Sequence, residues 1–249
     1  MRLRILMSTV LCALLIPGAA GAAVPKSARG VTLTSCERGT IDEGGAAVFE
    51  ARMRSVRGSA RMQLRFSLQA RTPDRTKYVT IAAPGFGTWV SPAPGTSRYV
   101  YTKRAENLLA PASYRVKLRF RWLDASGKVI ERAQLVSAAC RQPDPRPDLA
   151  VRSLGVQAAN APDRRRYVAF VRNTGRTTAA ASTLELSLAG TLLGSVPVAE
   201  LATGEGTLVS FEGPACTPGD ELVAEADADE AVDESDEADN RFSRLCPPF

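Results

Sequence analysis

The chain has 249 residues, 45% hydrophobic and 23% charged, a balance that suits one or two cored domains and excludes a disordered or fibrous chain. It contains no histidine, which removes the commonest general base, the Ser/His and Cys/His nucleophile pairs and every imidazole metal site. The formal charge of +6 hides two halves of opposite sign: Gly30 to Arg141 carries 19 basic against 8 acidic residues (+11), and Asp148 to Phe249 carries 8 against 17 (−9).

The chain opens with the layout of an export signal. Arg2 and Arg4 precede an apolar stretch from Ile5 to Ile16, Pro17-Gly18 breaks it, and Ala20-Gly21-Ala22 offers cleavage after Ala22. About 12 apolar residues are too few to cross a bilayer core that needs roughly 20. No later run approaches that length, so the expected mature chain is secreted, periplasmic or on the cell surface, with no membrane span after cleavage. Cys12 leaves with the signal, and Cys36, Cys140, Cys216 and Cys246 remain. An even number in an exported chain favours disulfides, and the absence of C-x-x-C couples argues against a four-thiolate metal site. Three pairings are open; proximity along the chain and the division into two units favour Cys36 with Cys140 and Cys216 with Cys246.

The first unit, residues 30–141, reads as strands with a side-chain period of two. Val31 to Cys36 is the first strand. Phe49, Ala51 and Met53 then alternate with Glu50, Arg52 and Arg54, and Met62, Leu64, Phe66 and Leu68 alternate within Arg61 to Gln69. Pro84 to Gly87 and Pro92 to Gly95 are loops flanking a short segment that contains Trp89. In Tyr114 to Trp122 the apolar members Tyr114, Val116, Leu118, Phe120 and Trp122 take one face, leaving Arg115, Lys117, Arg119 and Arg121 on the other. Asp124 to Gly127 turns into a last strand, Val129 to Cys140. A Cys36–Cys140 bridge would set the first and last strands side by side and parallel.

Leu109-Ala110-Pro111-Ala112-Ser113-Tyr114 resembles the L-x-P-x-x-Y entry to the sixth strand of fibronectin type III domains. That likeness implies an immunoglobulin-like sandwich with a tyrosine corner, in which the Tyr114 hydroxyl bonds back to the preceding turn. After the first unit, Arg141 to Pro147 holds three prolines in seven residues, a composition that stays extended, and residues 142–147 are read as a stiff connector.

Residues 148–249 form the acidic second unit. Residues 147–246 resemble the bacterial cell-adhesion-related family called CARDB, on an ordered set of fragments. These are Pro147-Asp148-Leu149, Tyr167 to Asn173-Thr174-Gly175, Leu184-x-Leu186-x-Leu188 into Ala189-Gly190, Leu201-x-x-Gly204-Glu205, and Asp227-x-Asp229-x-x-Val232-x-Glu234 into Asp236-Glu237-Ala238-Asp239-Asn240. Asp236 and Asp239 stand where asparagine is more usual, and the cysteine pair is not a general family feature. The resemblance implies a seven-stranded immunoglobulin-like module with a surface role and no catalytic residues. The periodicity agrees: Leu184, Leu186 and Leu188 take one face, as do Leu222, Ala224 and Ala226. Asn173-Thr174-Gly175 offers residues tolerant of positive φ at a turn. If Glu221 to Asp227 pairs with Arg241 to Leu245, the cysteines face each other when the ladder register sets Cys216 opposite Cys246.

Two features could carry function. Glu225 to Asp239 has nine carboxylates in fifteen residues and no cation. Hard oxygen donors are what calcium needs, with Asp227, Asp229, Asp233, Glu234 and Asp236 as candidate ligands; the alternative is a solvated acidic loop, and the spacing fails the EF-hand pattern. The cationic face of Arg115, Lys117, Arg119 and Arg121, joined by Arg52, Arg54 and Arg65, could attract an anionic envelope polymer such as teichoic acid, lipopolysaccharide or extracellular nucleic acid. The competing reading is an ordinary solvated sheet face in a chain with 27 Arg to 5 Lys. No specific nucleic-acid recognition is expected, because aromatic residues for base stacking are missing from that face. The opposite charges of the units also allow head-to-tail self-association. S-x-x-K and glycine-rich phosphate loops are absent, and acids clustered on one loop are a poor way to hold two carboxyls across a cleft. The sequence therefore points to two tandem immunoglobulin-like β-sandwiches, all-β, acting without cofactor as a non-catalytic binding or adhesion protein whose partner is a protein, a glycan or an anionic polymer of a cell envelope. An electrostatic binder working through the first unit, and a structural spacer, are the alternatives.

Overall fold

The computed structural model describes residues 24–248, and the expected export signal with Cys12 lies outside them. After one 3₁₀ turn, Lys26–Ala28, the first unit runs through β1 (Arg29–Glu37), β2 (Gly45–Arg54), β3 (Arg61–Arg71), β4 (Val79–Thr80), β5 (Arg98–Leu108), β6 (Ala112–Leu123), β7 (Val129–Val136) and β8 (Cys140–Gln142). The second contains β9 (Leu149–Ala158), β10 (Arg164–Asn173), β11 (Ser182–Leu188), β12 (Thr191–Val198), β13 (Gly206–Pro214), β14 (Glu221–Glu225) and β15 (Arg241–Leu245).

The two units share one topology. In the first, the sheet β1-β2-β5 packs on β4-β3-β6-β7, with β8 continuing beside β6; in the second, β9-β10-β13 packs on β12-β11-β14-β15. In strand order within each unit, the first, second and fifth form one sheet and the fourth, third, sixth and seventh form the other, an immunoglobulin-like arrangement. Alternation produces it. Phe49, Ala51 and Met53 of β2 meet Leu64, Phe66 and Leu68 of β3 and Val116, Leu118, Phe120 and Trp122 of β6 in one core, and Tyr167, Leu184, Leu186 and Leu222 anchor a second. The Trp122 indole N–H, at 2.7 Å from the Arg54 carbonyl, ties the two sheets of the first unit together.

Both disulfides pair as expected, Cys36 with Cys140 and Cys216 with Cys246. The strand geometry around them differs from expectation. The run from Val129 to Cys140 is broken after Val136: the Ser137 amide donates to the Val116 carbonyl, and the Ser137 hydroxyl accepts from the Val116 amide and donates to the Ala138 carbonyl. The chain resumes as β8, still paired to β6. Cys140 therefore belongs to the larger sheet and Cys36 to the smaller one, so the bridge joins the sheets across the sandwich instead of linking two parallel neighbours. Gln142, buried, extends the first unit by accepting from the Gly39 amide and donating to the Glu37 carbonyl, both at 2.9 Å.

In the second unit the β14–β15 ladder sets Glu221 opposite Leu245 and Glu225 opposite Arg241, a register four residues away from one that opposes the cysteines directly. The reason is a turn, Thr217 to Asp220, closed by the Asp220 amide on the Thr217 carbonyl and the Thr217 amide on the Asp220 carboxylate. It folds Cys216 back toward Cys246, whose own amide donates to the Asp220 carbonyl. At Asn173-Thr174-Gly175 neither Asn173 nor Gly175 has positive φ. Asn173 is instead a buried connector, donating to the Thr177 and Leu201 carbonyls and accepting from the Gly175 and Asp148 amides. Gly175 is glycine because backbone passes too close: a Cβ there would lie 2.4 Å from the Pro147 carbonyl carbon.

Candidate ligand-binding face

The tyrosine corner forms as expected, with the Tyr114 hydroxyl 2.8 Å from the Leu109 carbonyl oxygen. It fixes the start of β6 and hence the register against β3, where Gln63 opposes Arg121, Arg65 opposes Arg119, Ser67 opposes Lys117, and Gln69 opposes Arg115. On the far side Arg121 opposes Arg132 and Arg119 opposes Gln134. The outward face of the larger sheet thus gathers Arg65, Arg71, Arg115, Lys117, Arg119, Arg121 and Arg132. All four cations singled out from β6 lie on it, and so does Arg65. Arg52 and Arg54 do not: they are on β2, in the other sheet, pointing away from the shared core, and Arg52 is ion-paired to Glu50 at 2.7 Å.

Among the described residues, the face carries no countercharge. β3 and β6 hold no acid, and Glu131 of β7 opposes the buried Trp122 and so belongs to the inward row. Among the described residues, no carboxylate forms a salt bridge with these seven cations. Two cross-strand pairs, Arg65 with Arg119 and Arg121 with Arg132, set like charges directly opposite each other, an arrangement that costs folding free energy.

Aromatic residues are present on this face, contrary to the expectation from the sequence. The segment between β3 and β5 reads as loops because Pro84 to Gly87 and Pro92 to Gly95 interrupt it. Yet it travels along the edge of β3, bonded through the Ile81 amide to the Leu68 carbonyl, the Gly87 amide to the Phe66 carbonyl, and a bridge between Val90 and Leu64. Its inward members Ile81 and Phe86 pack on the core, while Tyr78 and Trp89 reach the cationic face. The Arg121 guanidinium lies 4.0 Å and that of Arg65 5.2 Å from the Trp89 ring centre; Arg115 and Arg71 lie 3.8 Å and 5.1 Å from the Tyr78 ring centre. Such contacts hold the cations without neutralising them. A shallow pocket beside Trp89 is lined by Arg119, Arg121, Arg132 and Gln134.

The candidate acids of the run each have partners of their own. Asp227 accepts from the Ala231 and Val232 amides, Asp229 from the Thr183 amide and hydroxyl, and Asp236 from the Ala238 amide. Asp233 pairs with Arg146 at 2.6 Å, and Glu234 accepts from the Leu149 amide and Asn240. The five candidate calcium ligands are thus spread over separate backbone and cation partners, and among the described residues no three acids or cysteines converge as a metal site. Burial, with help from Glu237 and Asp227, pushes the Glu234 carboxyl up to about 7. Burial likewise raises Asp227 and Asp239.

The loop has a structural role in common with the opening of the second unit. Glu234 holds Leu149, Ser235 donates its amide to the Pro147 carbonyl and its hydroxyl to Asp148, and Asn173 closes over Thr177 and Leu201. These are the positions that carry the family likeness. Residues 146–244 match the CARDB family model. The CARDB match covers less than half of the chain, and CARDB is a non-enzymatic, cell-surface family. Among solved structures, the chain is similar to the CARDB domain of a Pyrococcus furiosus protein in complex with di-metal ions, at 21% identity over 41% of this chain and 88% of that one, with a TM-score of 0.36. It is similar to a domain of a putative cell surface protein from Methanosarcina acetivorans, at 22% identity over 42% of this chain and 93% of that one, with a TM-score of 0.38. Red sea bream transglutaminase aligns with 88% of this chain at 12% identity and a TM-score of 0.31, but only 31% of the enzyme is covered. No curated protein matches the chain. No helix among the described residues is long and apolar enough to cross a membrane.

Proposed function

We propose that the protein is a non-catalytic binding module of a cell surface, exported by its N-terminal signal, and that its first unit holds an anionic polymer on the outward face of the larger sheet. The observation that carries the reading is the pair of like-charge juxtapositions, Arg65 with Arg119 and Arg121 with Arg132, on a face with no carboxylate. A solvated surface has no need to concentrate one sign of charge in this way, whereas a bound polyanion relieves the repulsion and releases its own counterions. The surface character of the CARDB family agrees with this setting. The second unit, with its opposite charge, does not compete for the same ligand and serves to attach or present the first.

Titration of the full chain with inorganic polyphosphate at two salt concentrations tests the reading. Affinity should fall steeply as salt rises, and Lys117→Glu with Arg119→Glu should weaken binding by roughly tenfold or more. Arg52→Glu with Arg54→Glu, on the opposite sheet, should leave it nearly unchanged. Equal losses from both double variants, or binding indifferent to salt, would refute the assignment.

A further inference from the structure

The cationic face contains the same four-residue arrangement twice. In one copy, the Arg121 Nε donates to Gln63 Oε1 at 2.6 Å, and Trp89 lies against both Arg121 and Arg65. In the other, the Arg115 Nε donates to Gln69 Oε1 at 3.1 Å, and Tyr78 lies against both Arg115 and Arg71. Each member of the strand pair is displaced by the same six residues: Gln63 to Gln69 and Arg65 to Arg71 on β3, Arg121 to Arg115 on β6. The copies are therefore translated along the strands by about 20 Å, six steps of about 3.4 Å. Lys117 and Arg119 stand on β6 between them.

Each copy immobilises a guanidinium before any ligand arrives. The glutamine takes the Nε hydrogen and the ring takes the guanidinium plane, which leaves the two Nη groups for an oxyanion, the geometry that favours bidentate contact with phosphate. Because the rotamers are already fixed, less ordering entropy is lost on binding. Both rings already engage two cations apiece. Their role is to position charge, so the ligand needs no stacking bases. Outward side chains on β6 recur every second residue, about 6.8 Å apart, a step close to that of an extended chain with one phosphodiester per three-carbon polyol.

Building on the polyanion reading, we infer that this face is a two-clamp track for a linear phosphodiester-linked polyol, with about four successive phosphates spanning the clamps over three two-residue repeats of about 6.8 Å. The polymer lies along β6, its end phosphates at Arg121 and Arg115 and its inner ones at Arg119 and Lys117.

The test is a length series of glycerol phosphate oligomers carrying two to eight phosphates, titrated calorimetrically against the full chain. Affinity should rise steeply up to about four phosphates and then grow only by the statistical factor of added registers. Tyr78→Leu, or independently Arg115→Gln, removes one clamp and should abolish that step, so that each added phosphate raises affinity only by the statistical factor. The inference is overturned if affinity climbs smoothly with total charge, if neither variant removes the step, or if single-stranded oligonucleotides or sulfated oligosaccharides of equal charge bind as tightly. In those outcomes polyanion binding itself still stands. If polyphosphate and every oligomer fail to bind, the underlying reading falls with it.

Discussion

Glu234 should make the second unit less stable at neutral than at mildly acidic pH. Its side chain is 2% exposed, accepts from the Leu149 amide and the Asn240 side chain, and shares its surroundings with the carboxyls of Asp227 and Glu237. Burial is the largest cause of its displacement from 4.5 to about 7, and the neighbouring acids add to it. Because the folded chain holds this proton more tightly than the unfolded one, the associated stability is complete below about 4.5 and is lost as pH rises to about 7. The displacement corresponds to about 3 kcal/mol, or on the order of 10 °C in the melting temperature of a domain this size. Scanning calorimetry of the full chain between pH 5 and 8 measures it. Both tryptophans, Trp89 and Trp122, lie in the first unit, so indole fluorescence identifies which transition belongs to that unit. The other transition should move down with rising pH. Glu234→Gln should remove most of that movement, because the neutral amide oxygen can still accept from Leu149; the raised carboxyls of Asp227 and Asp239 supply the remainder. A flat profile in the parent chain, or an unchanged slope in the variant, refutes the argument.

Gly175→Ala should destabilise the second unit by about 2 kcal/mol, since the methyl would meet the Pro147 carbonyl carbon at 2.4 Å and the Arg146 oxygen at 2.6 Å with only backbone to give way. Chemical denaturation should show the loss in that unit and not in the tryptophan signal. Replacing Cys36 and Cys140 together by alanine opens a loop of 104 residues and should lower the stability of the first unit by about 4 to 5 kcal/mol. Tryptophan fluorescence during urea unfolding reads that change.

Most of the architecture was legible because a period of two is a strong signal where one face is buried. Phe49 to Met53, Arg61 to Gln69 and Tyr114 to Trp122 each segregate apolar from charged residues, and all three lie within strands with the apolar set inside. What escaped depends on contacts with no periodicity. The break at Ser137 and the turn at Thr217 to Asp220 are made by single hydroxyl, carboxylate and backbone bonds, which moved one disulfide to a different sheet geometry and one ladder by four residues.

The candidate site divides in the same way. Arg115, Lys117, Arg119 and Arg121 share a face because they alternate on one strand, but Arg52 and Arg54 alternate equally well and sit on the other sheet, since alternation cannot say which sheet a strand joins. Trp89 and Tyr78 reach the cations from an edge segment whose prolines and glycines mark it as loop. The six-residue repeat of Gln63 with Gln69 and of Arg121 with Arg115 is visible in the sequence, yet it has no meaning until the β3–β6 register sets each glutamine opposite its arginine.

Arginine-selective dicarbonyl modification of the full chain, mapped by mass spectrometry with and without saturating polymer, reads contact with the cationic face residue by residue. The polymer should protect Arg119, Arg121 and Arg132 while Arg52 and Arg54, on the opposite sheet, react as fast as before. Uniform protection of all five, or protection confined to Arg52 and Arg54, would contradict it.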